Sequence, residues 1–181
     1  MVERSDEEQA WIARSREGDQ QAFEALVLRY QRMIFALTYR MTGSPTEAED
    51  LTQETFIAAF HQLDSFRGDS KFSSWLYRIA MNLCLNWRKS DQRRHALHRQ
   101  WSEELVLAAE EESTVPAGEV QRALLKLNPR QRAAIVLTTY DGLTHAEAAE
   151  ALGCSEATIS WRVFAARARL KKALRNLNQT K

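Results

Sequence analysis

THAEAAEALGCSEATISWRVFAARARLKKALR, residues 144–175, decides the fold, because it reads as two helices joined by a turn of the size used by DNA-binding hairpins. Thr144 followed by Glu147 is a capping box, in which the threonine oxygen takes the N3 amide and the glutamate reaches back to the cap amide. A short helix therefore opens at His145, turns Ala149 and Leu152 inward and stops at Gly153, where positive φ is cheap. Ser155 is the next N-cap. In the helix that follows, Ile159, Val163, Ala166, Leu170 and Leu174 recur at spacings of four, three, four and four, one apolar stripe for the partner helix. The other face carries Ser160, Trp161, Phe164, Ala165 and Ala168, flanked by Arg162, Arg167, Arg169, Lys171, Lys172 and Arg175. A helix-turn-helix lays the start of its second helix in the major groove while basic flanks hold phosphates. The competing reading is a plain helical hairpin with a solvated basic face.

Outward from this hairpin, charge is segregated. Residues 1–99 hold 14 Lys+Arg and 14 Asp+Glu, residues 100–119 hold none and 6, and residues 120–181 hold 11 and 4. The tail thus carries about +7 and the segment before it about −6, the profile of a nucleic-acid reader tethered to an acidic strap, which the net charge of +1 conceals. Glu103 to Glu119 is expected to rest on the basic tail and weaken DNA binding by the free chain. Apolar content of 44% is that of a globular protein, and no run approaches the roughly 18 apolar residues of a membrane span. The start, MVERSDEEQAWIARS, is acidic and lacks an apolar signal core, so a cytoplasmic protein is expected. Cys84 and Cys154 fit reduced thiols better than a disulfide.

The N-terminal half reads as helices. Residues 6–17 form a short one with Trp11 and Ile12 inward, closed at Gly18. From Gln20 to Met41 the residues Phe23, Leu26, Val27, Tyr30, Met33, Ile34, Leu37 and Met41 recur at three and four, and Thr42-Gly43 ends that helix. Ser44-Pro45-Thr46-Glu47 opens the next with a cap serine, proline at N1 and glutamate at N3. It runs to about Leu63, burying Ala48, Leu51, Phe56, Ala59, Phe60 and Leu63 and leaving Glu49, Asp50, Gln53, Glu54 and Ile57 on or beside the solvent side. By itself that acidic face is either a solvated surface or a seat for a basic partner.

Asp64 to Ser70 is a polar, glycine-bearing loop that carries Phe66 and Arg67, an aromatic beside a cation, which suits a base and its phosphate. Lys71 to Lys89 is a helix with Phe72, Trp75, Leu76, Ile79, Leu83 and Trp87 on its core side and Lys71, Ser74, Arg78, Asn82 and Lys89 opposite. Arg88, Arg93, Arg94 and Arg99 extend the positive charge. Trp75 and Trp87 read as core more than as stacking platforms, and Tyr77, off the core stripe, is the better stacking candidate. Residues 96–118 read as a flexible acidic linker. Beyond it come a helix from Glu119 to Leu127 and, with Asn128 as N-cap and Pro129 at N1, another through Tyr140. The expectation is an all-α chain of two small helical domains, residues 1–95 and 119–181. His95 and His98 sit three apart without an acid or cysteine at ligand spacing, so no metal is expected. Without a phosphate-cradling glycine loop, HExxH, CxxC or nucleophile elbow, neither a cofactor nor an enzymatic role is expected.

AEDLTQETFIAAFHQLDSFRGDSKFSSWLYRIAMNLCLNWRKS, residues 48–90, resembles region 2 of an extracytoplasmic-function sigma factor of the sigma-70 family. LNPRQRAAIVLTTYDGLTHAEAAEALGCSEATISWRVFAARARLKKAL, residues 127–174, resembles region 4 of the same proteins. The resemblance implies a dissociable promoter-specificity subunit of bacterial RNA polymerase. Region 2 would bind the polymerase clamp and the −10 element, and region 4 the −35 element and the flap. Asp50, Gln53, Glu54 and Ile57 would then bind polymerase. Phe66, Arg67, Ser70, Lys71, Tyr77, Arg78 and Asn82 would face the −10 region as the strands separate. Ser155, Thr158, Ser160, Trp161, Arg162, Phe164, Ala165 and Arg167 would face the −35 element.

This chain departs from the family where basic residues are common, with Ser160 in place of a basic residue and Ala165 in place of an arginine. Two positions that would seek guanine have lost their cations, while Trp161 and Phe164 could meet thymine methyls. An unusual −35 motif is therefore expected. Ala148 replaces the isoleucine of an EIA triplet and the LP pair is displaced to Asn128-Pro129, changes expected to alter packing only. The resemblance also implies an anti-sigma factor, expected to be membrane-associated, with the sigma chain monomeric when free or 1:1 with that partner. The rival readings are a repressor or activator that acts without polymerase and a helical adaptor for an acidic protein.

Overall fold

A computed structural model describes residues 6–101 and 118–178, with side chains described for residues 6–88 and 118–175. Among the described residues there are eight α-helices and no strand. α1 (Asp6–Arg16), α2 (Gln20–Thr42), α3 (Pro45–His61) and α4 (Phe72–Trp101) make the first module. α5 (Glu119–Leu125), α6 (Pro129–Ile135), α7 (His145–Ala151) and α8 (Glu156–Asn178) make the second.

The caps at Gly43, Ser44 and Asn128 fall where the sequence places them, and Asp19 adds one that the sequence reading did not single out. Asp19 takes the amides of Gln21 and Ala22 at the start of α2, and Gly43 closes that helix at φ 80° with its amide on Tyr39 O. Ser44 accepts from the Glu47 amide with Pro45 inside the first turn of α3. Asn128 accepts from the Arg130 amide at 2.9 Å before Pro129. α6 continues into a π-helical turn over Val136–Tyr140, whose wider winding carries the chain to Asp141.

α2 crosses α3 on a buried polar node. Thr38 is fully buried, and its Oγ1 lies 3.1 Å from Ile34 O, 3.0 Å from Ala48 O and 3.1 Å from the Thr52 hydroxyl. One hydroxyl thus serves its own helix and its neighbour, which keeps that close crossing free of unsatisfied groups. Leu26, Ile34, Leu37, Leu51, Leu76 and Met81 fill the space around it.

The two modules, expected to be separate, pack directly on one another. A single apolar cluster runs from Leu37, Leu76 and Met81 of the first into Ala133, Val136, Leu137 and Leu143 of the second. A smaller cluster of Leu124, Leu127, Ile135 and Ala166 lies inside the second module. α4 extends to Trp101, past the start of the segment read as linker. Of the acidic residues of the strap, only Glu119 falls within the described residues, and the side chains of His95 and His98 lie outside them. No helix among the described residues is long and apolar enough to cross a membrane.

Polar groups fasten the seam at the C-terminal end of α2. Gln121 Nε2 donates to Tyr39 O at 2.9 Å. Arg132, 1% exposed, donates to Met41 O at 2.5 Å and to Leu124 O at 2.8 Å, and also reaches Leu125 O and Leu127 O. Met41 O, a carbonyl at the end of α2, is thereby satisfied by the other module, and Tyr39 O gains a second donor beside Gly43 N. Burial, and secondarily the nearby charge of Arg88, lowers the Arg132 guanidinium to about 10.

Candidate nucleic-acid interface

The helix-turn-helix forms as its sequence dictates. Thr144 and Glu147 complete the capping box, with Glu147 N to Thr144 Oγ1 at 3.2 Å and Thr144 N to Glu147 Oε2 at 2.8 Å. These bonds from Thr144, with a smaller contribution from Lys71, hold the Glu147 carboxyl below its ordinary value. Gly153 makes the turn at φ 58°, and Ser155 Oγ takes the Thr158 amide at 3.2 Å. Ile159, Val163 and Ala166 of α8 are buried, while Leu170 and Leu174 are half-buried.

The outward face of α8 presents Trp161 at 64% and Phe164 at 74% exposure, large apolar groups that a solvated helix has no reason to display. Ser160 and Arg167 are exposed beside them, and Ala165 is half-exposed. Ser160 Oγ stands 2.9 Å from His145 Nδ1 and 3.1 Å from Glu156 O. Arg162 is half-buried and turned inward, with Nη1 3.4 Å from Cys154 Sγ.

The −10 candidates divide. Arg67, Arg78 and Asn82 are exposed and Ser70 is half-exposed. Phe66, read as an aromatic free to meet a base, is 6% exposed; it stands edge-on to Phe72 at 5.3 Å and beside Trp75 at 5.4 Å, with Arg16 bonded to its carbonyl oxygen. Tyr77, read as lying off the core stripe, is 4% exposed. The stripe assigns Tyr77 to the outside of its own module, but the second module covers that outside. Burial, and then the negative charge of Asp141, raises the Tyr77 phenol above its ordinary value. Lys71 Nζ lies 3.7 Å from Glu147 Oε1, so a cation of this face is paired with the cap of the helix-turn-helix. Trp75 is core, as expected, and Trp87 is half-buried.

On the far side of the first module, Asp50, Gln53, Glu54 and Ile57 are exposed along α3. Gln53 and Ile57 line an apolar groove of about 960 Å3 between α2 and α3, walled by Phe23, Val27 and Phe35 and by Phe56 and Phe60. Phe60, expected in the core, is 42% exposed, its ring edge-on to Phe23 at 5.0 Å. It misses the core because the apolar arc of α3 is wider than the surface its neighbours can cover. The α2 wall, and Phe35 above all, escaped the reading of α2 as a core helix. The legible signal was an apolar arc on α2 too broad for one buried face. Among the described residues no group of three or more His, Cys, Asp or Glu could hold a metal.

A four-helix module with an apolar groove and a basic face, followed by a helix-turn-helix module, is the arrangement of sigma-70 proteins. The Sigma-70 region 2 family profile matches residues 26–94 and the Sigma-70 region 4 profile matches residues 117–170. The ECF RNA polymerase sigma factor SigW of Bacillus subtilis (strain 168) is 35% identical over 92% of this chain and 96% of its own. CnrH, solved in complex with the cytosolic domain of CnrY, matches with a TM-score of 0.68 and 33% identity, over 94% of this chain and 99% of that one. The sigma factor RpoE, solved with the anti-sigma factor NepR from Bartonella quintana, matches with a TM-score of 0.67 and 28% identity, over 84% and 96%. The chain belongs to the extracytoplasmic-function group of the sigma-70 family. It is a transcription initiation factor, a subunit that gives RNA polymerase its promoter specificity.

Proposed function

We propose that this chain, acting in the cytoplasm, docks on the core polymerase clamp through the α2/α3 groove and reads promoters with its two modules at separate elements. The observation that carries the docking is the groove itself. It is apolar along its floor and about 960 Å3 in volume, with Glu49 on its rim beside Arg32 and His61, and Asp50 and Glu54 are exposed on the same helix. A helix of the clamp with an apolar stripe and basic flanks fits that chemistry. Gln53 and Ile57 would contact it directly.

Residues 1–95 would form the −10 module, residues 96–118 the tether, and residues 119–181 the −35 and flap module. At −10, Arg67, Lys71, Arg78 and Asn82 would hold the backbone while Phe66 and Tyr77 stack on an extruded base. Stacking worth roughly 1–3 kcal/mol per base offsets much of the unstacking cost. Tyr77 is covered by the second module in the closed arrangement, so its role requires that module to lift away, and Phe66, packed on Phe72 and Trp75 of its own module, would also have to swing out. At −35, Trp161 and Phe164 would meet thymine methyls, Ser160 would bond a base edge, and Ser155, Thr158, Arg162, Ala165 and Arg167 would complete the contact.

The neighbours solved with CnrY and NepR support an anti-sigma partner for this chain as well, one that holds the modules closed, and we extend that reading to a membrane-associated protein. Polymerase supplies the chemistry and this chain supplies address and opening. The deciding experiment is transcription by core polymerase on genomic fragments with start sites mapped. New start sites that require this chain are expected, and a chain that neither binds core nor moves a start site would overturn the reading.

A further inference from the structure

The seam between α4 and the helix-turn-helix encloses a cavity of about 550 Å3, lined by Arg88 of α4, Asn128 and Arg130 at the head of α6, Leu152 and Cys154 of the turn, and Arg162 of α8. Three guanidinium groups therefore line one cleft, and no lining residue is acidic. Among the described residues, the ion pairs involve other cations: Arg14, Arg29, Arg40 and Lys71. Arg88 Nε is buried with no hydrogen-bond partner. Arg162 is bonded to a thiol, a weak acceptor. Arg132, behind Arg88, donates only to carbonyl oxygens and feels the Arg88 charge as a repulsion. Arg88 and Arg162 are partly buried and Arg130 is exposed, and cations gathered around one cleft with no counter-charge among the described residues are costly. That excess is relieved by an anion.

We propose that this seam is a binding site for a small phosphate-bearing anion, held by Arg88, Arg130 and Arg162. Planar guanidinium forks match phosphate oxygens in pairs, and the volume falls in the range of small-molecule sites, about 300–1,000 Å3. The site takes Arg88 from one module and Arg130 and Arg162 from the other, so it is complete only while the two are closed. A ligand that binds only the closed form shifts the population toward it. Occupancy would engage Arg162 and keep Tyr77 covered. The site therefore couples a soluble phosphate compound to promoter access, a function beyond the polymerase and promoter contacts proposed above. The phosphate could be inorganic, as in pyrophosphate, or carried by a nucleoside whose base would lie along Leu85 and Leu152.

The test is calorimetric titration of the full chain with pyrophosphate, with ADP, and with sulfate as an ionic control, at about 150 mM salt so that surface charge is screened. One phosphate compound per chain is expected, with sulfate at least about tenfold weaker. Arg88→Gln and Arg130→Gln should each weaken binding by about tenfold or more, and Arg175→Gln, on an exposed stretch of α8 outside the cavity, should leave it unchanged. Circular dichroism confirms that each variant is folded, and pyrophosphate should raise the melting temperature of the parent chain but not of Arg88→Gln. ADP binding about tenfold tighter than pyrophosphate assigns a nucleotide, and equal affinity assigns the inorganic ion. No binding at millimolar ligand, or several ions per chain with Arg88→Gln behaving as the parent, overturns the proposal.

Discussion

Arg40 of α2 and Asp141 of the turn before α7 pair across the seam at 3.7 Å, and the same guanidinium lies 4.7 Å over the ring of Tyr140. The Asp141 carboxylate is buried, its Oδ2 without a hydrogen-bond partner, and it faces Tyr77. One ion pair therefore sits at the point where the helix-turn-helix module covers Tyr77 and the face proposed to meet the −10 element.

That pair makes closure depend on pH. Burial pushes the Asp141 carboxyl up to about 6 against the opposing pull of Arg40 and Tyr77. An acid raised in the closed form binds its proton more tightly there than in the open form, where its value is near 4. The advantage to closure is full below about 4 and is lost as pH rises through about 6. Glu147 is shifted the other way, lowered by its cap bonds to Thr144. Energy transfer between dyes on the two modules, followed from pH 4 to 8, should report falling closure with a midpoint near 6. Asp141→Asn should flatten the curve, and an unaltered pH profile in that variant would sink the assignment.

Gly43 is the tightest point of the seam. At φ 80° it closes α2, and an added Cβ would stand 2.5 Å from Leu125 Cδ1. Leu125 can swing aside, but the left-handed backbone cannot be relieved, which costs roughly 1–2 kcal/mol. Gly43→Ala should lower unfolding free energy by about that amount in urea. A loss under about 0.5 kcal/mol, the scatter of neutral surface changes, would show that neither constraint matters.

Ile57 is 53% exposed at the lip of the α2/α3 groove, so removing it disturbs little of the fold. Ile57→Asp should weaken core polymerase binding by about tenfold or more while shifting stability by no more than about 0.5 kcal/mol. Retained affinity in a surface-binding assay would place the docking site elsewhere.

Trp161 and Phe164 should behave as specificity residues. Trp161→Ala and Phe164→Ala should each reduce discrimination at one −35 position by about 1–3 kcal/mol, read as altered preference in a randomised promoter library. Mutating Arg167 should instead weaken all sequences alike and flatten the salt dependence. Unchanged preferences in both aromatic variants would assign the face to protein contact.

Much of the fold was legible because its boundaries are set locally. Ser44 with Pro45, Asn128 with Pro129, Thr144 with Glu147, and Gly43 and Gly153 each start or stop a helix through groups a few residues apart. The α8 faces were legible too, since one helix packed on one side follows its own period. Tyr77, Phe66 and Phe60 were misjudged because burial there depends on which surfaces distant segments cover. Arg132 gave no signal at all. An arginine in an amphipathic helix reads as surface, and only the meeting of α5, α6 and the end of α2 supplies the carbonyls that accept it.

Because the apolar cluster containing Leu37, Leu76, Val136 and Leu143 runs unbroken through both modules, the larger hydrophobic interior is shared, and the second module keeps only the small cluster around Leu124 and Ile135 to itself. Heat should therefore dismantle the free protein in a single cooperative step, with calorimetric and van't Hoff enthalpies in agreement. On the proposed opening, whatever prises the halves apart must also shelter the newly wetted faces of Leu137 and Leu143, so part of the association energy with polymerase would be consumed before any base is read.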